Sequence, residues 1–276
     1  MDIYICILLV IVGIIAGGYG TIVGSGGGFI FVPALLLIFH MDPKLAAGSG
    51  LVIVLINSLS GVVGYAKQKR ISYHTGLTLS AGAIPGSLLG VWLLQIYSSS
   101  YFYVIFATVL VALGIFLFAK NPPFASLKKK KRLLSKEGSG EDEVAAAVEK
   151  TPDFKETACL PLVSILPIGF FMGILSSYLG IGGGWLLVPI LIYAFKLPTH
   201  IATATSIFSL TIYSLVGVFS QWFYSSIDWN TVLWGSIGVI IGSQIGVLLS
   251  RKIPGTVILQ MLSVLLIIIG FRMYLS

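Results

Sequence analysis

Two short stretches hold the residues best suited to chemistry in this chain: Gly24-Ser25-Gly26-Gly27-Gly28 and Gly180-Ile181-Gly182-Gly183-Gly184. Each leads into an apolar run carrying Val-Pro, Phe29-Ile30-Phe31-Val32-Pro33 in one and Trp185-Leu186-Leu187-Val188-Pro189 in the other. Three consecutive glycines cost a helix roughly 1 kcal/mol each relative to Ala. An apolar helix therefore breaks there and restarts, near Gly28–Ile30 in the first stretch. Pro33 falls in the first turns of the new helix, where a missing N–H costs little. The restart leaves N–H groups without an intrahelical acceptor, and they carry partial positive charge. Helix starts of this kind bind anions.

The side chains around the breaks point the same way. No Asp, Glu, Lys or Arg lies deep in an apolar segment: Asp42, Lys44, Lys196 and Asp228 sit at segment ends, and Arg272 near the last one. Substrate charge would be met by dipoles and hydroxyls instead. The expected binding set is Gly24, Ser25, Gly26, Gly27, Gly28, Phe29, Asn57, Ser58, Gly180, Gly182, Gly183, Gly184, Trp185, Thr205, Ser206, Tyr213 and Ser214. Neutral donors suit a tetrahedral or pyramidal oxyanion that must also be released. Glycine pairs spaced as Gly86 and Gly90 or Gly242 and Gly246 read as helix packing. No Lys-Ser/Thr follows the glycines, so there is no phosphate-loop pattern. Neither GxSxG nor HExxH appears, and His40, His74 and His200 are not spaced as metal ligands. No catalytic residue, cofactor or metal is expected, and an enzyme is disfavoured.

The elements that position these residues are apolar throughout. The chain is 57% hydrophobic and 10% charged, against about 25% charged in a soluble domain. Several runs of about 20 residues could each cross about 30 Å of hydrocarbon. The fold class expected is an all-α polytopic membrane protein. The net charge of +7 collects in membrane-flanking loops and does not point to nucleic acid. Cys6 and Cys159 form neither a disulfide framework nor a metal motif.

Apolar segments lie near 3–23, 29–39, 45–66, 74–96 and 101–119, and again near 161–179, 185–195, 201–224, 229–250 and 254–274. An offset of 156 without gaps pairs Gly26-Gly27-Gly28 with Gly182-Gly183-Gly184, Pro33 with Pro189, Gly61 with Gly217, Gly86-Ser87 with Gly242-Ser243, and Gly114 with Gly270. Register kept this long marks an internal duplication. It divides the chain into a membrane repeat over 1–119, a basic cytoplasmic linker over 120–157 and a second repeat over 158–276. The linker holds Lys128-Lys129-Lys130-Lys131-Arg132, which reads as a topogenic loop. Lys67, Lys69 and Arg70, the linker, and Arg251-Lys252 fall inside by the positive-inside rule, while 97–100 and 225–228 fall outside. An odd number of segments per half then inverts one repeat against the other and places both termini outside. About eight full spans and two short glycine-broken half-helices result. Whether the short segments cross or return stays open at this level.

The doubled glycine break with Val32-Pro33 and Val188-Pro189 resembles the TauE/SafE family of sulfite exporters and related permeases. The resemblance covers nearly the whole chain outside the linker. It implies a multi-pass bundle of the bacterial inner membrane that moves sulfite, sulfonates, sulfoacetate or related anions. The function expected is a secondary transporter of small sulfur-containing anions with export as its direction. The partners expected are the anion and the bilayer. An uptake permease for another organic acid, or a scaffold whose glycines only serve packing, are the alternatives.

Overall fold

The structure is a computed structural model that describes residues 3–96, 99–120, 162–224 and 227–274. The linker beyond Lys120, with its basic run, and Cys159 lie outside the described residues, as do Tyr97, Ser98, Ser225 and Ser226. Among the described residues there are ten α-helices and no strand. The first half contributes α1 (Ile3–Val23), α2 (Gly28–Leu37), α3 (Pro43–Lys67), α4 (Tyr73–Ile96) and α5 (Ser99–Lys120). The second contributes α6 (Leu162–Leu179), α7 (Gly184–Tyr193), α8 (Thr199–Phe223), α9 (Trp229–Leu249) and α10 (Gly255–Tyr274). Six of them, α1, α3, α4, α8, α9 and α10, have the length and hydropathy to cross a membrane.

Local chemistry fixes the helix starts. Asp42 caps α3 by accepting the Lys44 N–H at 2.8 Å, with Pro43 in the first turn. Asp228 caps α9 by accepting the Asn230 N–H at 3.2 Å and the Thr231 hydroxyl at 2.7 Å. Such caps satisfy donors that a helix start leaves open.

Cross-helix bonds define the two ends of the bundle. The Asp228 N–H donates to Ser49 Oγ at 2.9 Å and Lys44 Nζ to the Gln95 carbonyl at 3.0 Å. The starts of α3 and α9 and the end of α4 therefore share one end, the Pro43 end. Gln68 Nε2 donates to the Val247 carbonyl at 3.4 Å, the Ser72 N–H to Thr205 Oγ1 at 3.1 Å, and Gly255 lies against Thr199. The end of α3 and the starts of α4, α8 and α10 share the opposite end, the Lys67 end.

Two helix pairs approach so closely that only glycine fits between them. Gly82, Gly86 and Gly90 of α4 lie on the carbonyls of Leu166, Phe170 and Ile174 of α6. Gly238, Gly242 and Gly246 of α9 lie on those of Val10, Ile14 and Gly18 of α1. The second set is the first moved by 156 positions. Small residues on this spacing let backbones touch, which is where apolar helices gain packing energy in lipid. Both pairs run parallel, so α1 starts at the Pro43 end and α6 at the Lys67 end.

The short helices turn back. A methyl on Gly27 would come 2.6 Å from the Ala16 carbonyl of α1, and the Phe31 ring lies against Gly235, whose carbonyl in turn faces Gly13. Helix α2 thus retraces α1 and returns to the Pro43 end. Leu187 and Leu191 of α7 share an apolar cluster with Met172 and Ile165 of α6, and α7 returns towards the Lys67 end, where α8 begins. The question left open by the sequence, crossing or return, resolves to return for both short segments.

Candidate functional site

Helix α1 ends on one carbonyl. Gly20 O accepts the N–H groups of Gly24 at 2.9 Å, Ser25 at 2.8 Å and Gly26 at 3.3 Å, and the Ser25 hydroxyl at 3.4 Å. Gly24, Gly26 and Gly27 then adopt φ of +87°, +78° and +79°. That region costs an L-residue with a side chain roughly 1–2 kcal/mol, so glycine is required by the turn itself. The Gly27 carbonyl opens α2 by accepting from Ile30 and Phe31, each at 3.1 Å. Among the described residues the N–H groups of Gly27, Gly28 and Phe29 meet no acceptor.

The second break is built differently in detail. Gly180 N–H donates to Ser176 O at 2.9 Å, and Gly180 and Gly182 have φ of +69° and +72°. Gly183 stays in the right-handed region at φ −71°. Its carbonyl accepts from Leu186 at 3.2 Å and Leu187 at 3.0 Å, and its N–H faces the Tyr213 hydroxyl. The N–H groups of Gly184 and Trp185 meet no acceptor among the described residues.

The two breaks lie against each other. A methyl on Gly28 would come 2.6 Å from the Ile181 carbonyl, and one on Gly184 would overlap the Gly24 carbonyl and come 2.8 Å from Ser25 Cα. Val54 of α3 and Leu210 of α8 fill the seam, each touching both Gly26 and Gly182. Residues 20–29 and 176–185 are all buried. Irregular backbone at membrane depth is tolerated where protein surrounds it in this way.

Polar side chains gather on both flanks. The Thr21 hydroxyl reaches Asn57 Oδ1 at 3.1 Å and Ser243 Oγ at 3.2 Å, and Ser243 donates to the Asn57 carbonyl at 3.3 Å. The counterparts 156 positions away are Ser177, Tyr213 and Ser87, with Ser87 Oγ 2.7 Å from Ser177 Oγ and 3.2 Å from the Tyr213 carbonyl. Within these clusters some groups are left open. Asn57 Nδ2, Ser176 Oγ, Trp185 Nε1, Thr203 Oγ1 and the Tyr213 hydroxyl are buried without a hydrogen-bond partner. Tyr213 faces Ser176 and the Gly183 N–H yet closes a well-formed bond with neither. An unmade bond at a buried polar atom costs about 1–3 kcal/mol. Ser176 Oγ and the Tyr213 hydroxyl thus stand at the start of α7 with bonds to offer and no formal charge.

The expected binding residues divide on this geometry. Gly24, Ser25, Gly26 and Gly28 meet Gly182 and Gly184 in the seam, while Gly27 packs on Ala16, Gly180 on Ala47, Gly183 on Met172 and Tyr213, and Phe29 on Tyr19. Asn57 and Tyr213 lie on the flanks. Ser206 donates to the Gly24 carbonyl at 2.8 Å, which fixes the first break. Ser58 and Ser214 turn their hydroxyls onto their own helices, to Leu55 O at 3.0 Å and Thr211 O at 3.4 Å. Thr205 holds the α3–α4 connection through Ser72. Ser176 and Thr203 were not singled out by sequence reasoning. The tandem Ser176-Ser177 just ahead of the glycines was a usable signal; Thr203 had none.

The chain matches the family described as Sulfite exporter TauE/SafE over residues 9–273. It is 29% identical to "Probable membrane transporter protein YunE" of Bacillus subtilis, over 97% of this chain and 96% of that protein. It is also 29% identical to "Probable membrane transporter protein MJ0441" of Methanocaldococcus jannaschii, over 97% and 95%. No solved structure matches it. Six long apolar helices, two buried glycine breaks and this match agree on a multi-pass membrane transporter, and the chain belongs to the TauE/SafE family.

Proposed function

We propose that this protein is a secondary transporter that exports small sulfur-containing oxyanions or sulfonates, held where the two breaks meet. The observation that carries the reading is the pair of buried helix starts with open N–H groups beside the unpartnered Tyr213, Ser176 and Trp185 donors. Gly27 to Phe29 and Gly183 to Trp185 supply the backbone donors. Tyr213 and Ser176 supply hydroxyls on the second side and Asn57 an amide on the first.

Movement follows from an inverted duplication. Its support is that contacts recur under the offset of 156: Gly24 against Thr203 and Gly180 against Ala47, Gly28 against Ile181 and Gly184 against Ser25. Its further support is that the α1–α2 hairpin enters from one end and the α6–α7 hairpin from the other. Eight helices of 18–25 residues then cross or nearly cross, and two of 10 residues return. Rocking one repeat against the other would expose the seam to each side in turn. The described cations favour the Lys67 end as cytoplasmic: Lys67, Lys69, Arg70, Lys120, Lys196, Arg251 and Lys252 lie there, against Lys44 and Arg272 at the Pro43 end. Both termini are then outside and the membrane is the plasma membrane. A negative interior drives an anion outward by about 2.3 kcal/mol per charge per 100 mV.

The test is uptake of labelled sulfite into proteoliposomes, with sulfate, taurine, sulfoacetate and acetate as competitors and with an imposed potential. Saturable uptake blocked by sulfur anions is expected. Tyr213→Phe should weaken half-saturation about tenfold, the value of one hydrogen bond to a charged group, while the melting temperature holds. Uptake that ignores every sulfur anion in folded protein removes the reading.

A further inference from the structure

Arg70 sits in the turn that closes α3, at the Lys67 end. Lys69, at φ +53°, returns its N–H to the Ala66 carbonyl at 2.9 Å, and Arg70 N–H reaches the Tyr65 carbonyl at 3.4 Å. The neighbours Gln68 and Ser72 are pinned to α9 and α8, which fixes the turn that carries Arg70. Tyr65 donates to the Thr21 carbonyl at 2.8 Å, tying this corner to α1 three residues before the first break. One guanidinium nitrogen, Nη1, is buried without a partner. Arg251 and His200, both cationic or able to become so, lie close enough to feel its charge, as does the Tyr65 hydroxyl. Among the described residues the acids are Asp42 and Asp228, both caps at the other end.

This arrangement is electrostatically incomplete. Burial works most strongly against ionised Arg70, with Tyr65 offsetting part of it and the Arg251 charge adding to it, yet a guanidinium does not give up its proton in a protein. A partly buried cation beside another cation needs an anion to offset its desolvation. The sequence does not repeat these charges in the other half. Under the offset of 156, Arg251 becomes Gln95, Tyr65 becomes Gln221 and His200 becomes Lys44. There the Lys44 ammonium is already engaged by the Gln95 carbonyl.

We propose that Arg70, flanked by Arg251 and His200, forms an oxyanion-receiving site at the Lys67 end, taking a sulfonate, sulfite or phosphate-type group. The site stands on the unpaired guanidinium; its place ahead of the breaks on a transport path rests on the function proposed above. A planar fork of N–H donors matches such groups in two-point contact. The group can belong to a soluble anion or to the head of an anionic lipid.

Thermal unfolding of the purified full-length chain in neutral detergent separates these, with sodium methanesulfonate and phosphatidylglycerol as probes and chloride holding ionic strength constant. Methanesulfonate should raise the melting temperature saturably. Arg70→Gln should need about tenfold more of it, as for a lost hydrogen bond to a charged group. Arg70→Lys should recover part of the effect, and Arg272→Gln at the other end should change nothing. An unaltered methanesulfonate response in Arg70→Gln overturns the proposal. If only phosphatidylglycerol stabilises, and through Arg70, the site stands as a lipid site and its place on the path falls. If Tyr213→Phe removes the methanesulfonate response and Arg70→Gln keeps it, the breaks hold the anion and Arg70 does not. The reverse pattern supports Arg70 and removes the breaks. Should Arg70→Gln not fold, the exposed Arg251→Gln gives the answer: a response weakened about threefold supports the site, and no change overturns it.

Discussion

Replacing Gly27 and Gly183 by Ala should have opposite consequences, although the two occupy the same place in the duplication. Gly27 has φ +79°, and a methyl there comes 2.6 Å from the Ala16 carbonyl and 3.0 Å from its carbon. The left-handed backbone costs about 1–2 kcal/mol, and forcing the overlap against fixed backbone about 1–3 kcal/mol more. Gly27→Ala should therefore lose about 2–5 kcal/mol and melt well below the parent. Gly183 has φ −71°, which Ala adopts freely and which limits the unfolded chain, a gain of about 0.4–1 kcal/mol. Its methyl would meet Met172 Cε and the Tyr213 hydroxyl, each at 2.9 Å, and the Met172 carbonyl at 3.1 Å, a contact the backbone relieves by shifting a few tenths of an ångström. The methionine end can move, and the tyrosine is then displaced from the helix start. Gly183→Ala should melt within about 1 kcal/mol of the parent and lose anion uptake. Melting in detergent followed by size exclusion, with uptake in proteoliposomes, reads both. Equal loss of stability in the two variants would refute the argument, as would full uptake by Gly183→Ala.

Two further outcomes follow from the same contacts. Ser206→Ala removes the donor to the Gly24 carbonyl and leaves that buried group unpaired, so it should cost about 1–3 kcal/mol, read as a lowered melting temperature. Single cysteines at Lys69 and Ser99, with Cys6 and Cys159 replaced, should label with an impermeant maleimide only from the cytoplasmic and only from the outer side respectively. Labelling of both from one side breaks the orientation drawn from the cations.

Much of this fold is legible in the sequence because lipid removes alternatives. Apolar runs have to be helices, and the starts of α2 and α7 at Gly28 and Gly184 fall where the triple glycines end. What the letters do not carry is direction around a helix. Ser58 and Ser214 look as available as Asn57 and Tyr213, yet their hydroxyls close on the preceding turn, a bond any helical serine can make. The return of α2 depends on Gly27 and Gly20 allowing two backbones to touch, and a ten-residue apolar segment reads the same whether it turns back or goes on. Ser176 acquires its place only because Tyr213, thirty-seven positions later, faces it.

Contacts that recur at an offset of 156 positions balance the two halves, and the places where the counterparts differ carry what is specific. Where the two halves pack, counterparts are conserved in kind: Val54 and Leu210 fill the seam, and glycines face carbonyls on both sides. Where polar groups act, the counterparts diverge. Asn57 stands opposite Tyr213, and Gly50, whose Cα lies against the Gly180 carbonyl, stands opposite Ser206, which bonds the Gly24 carbonyl. The first break is thereby tied down by Ser206 and by three N–H groups on Gly20, while Ser176 takes only one of the three equivalent bonds. Both helix starts are open, but a break whose turn is closed by its own backbone has less to gain from a ligand than one whose turn lacks two of those bonds and stands beside open hydroxyls. If the function proposed above holds, the second break is the side on which an anion would have most bonds to make, and the first the firm wall it would be held against.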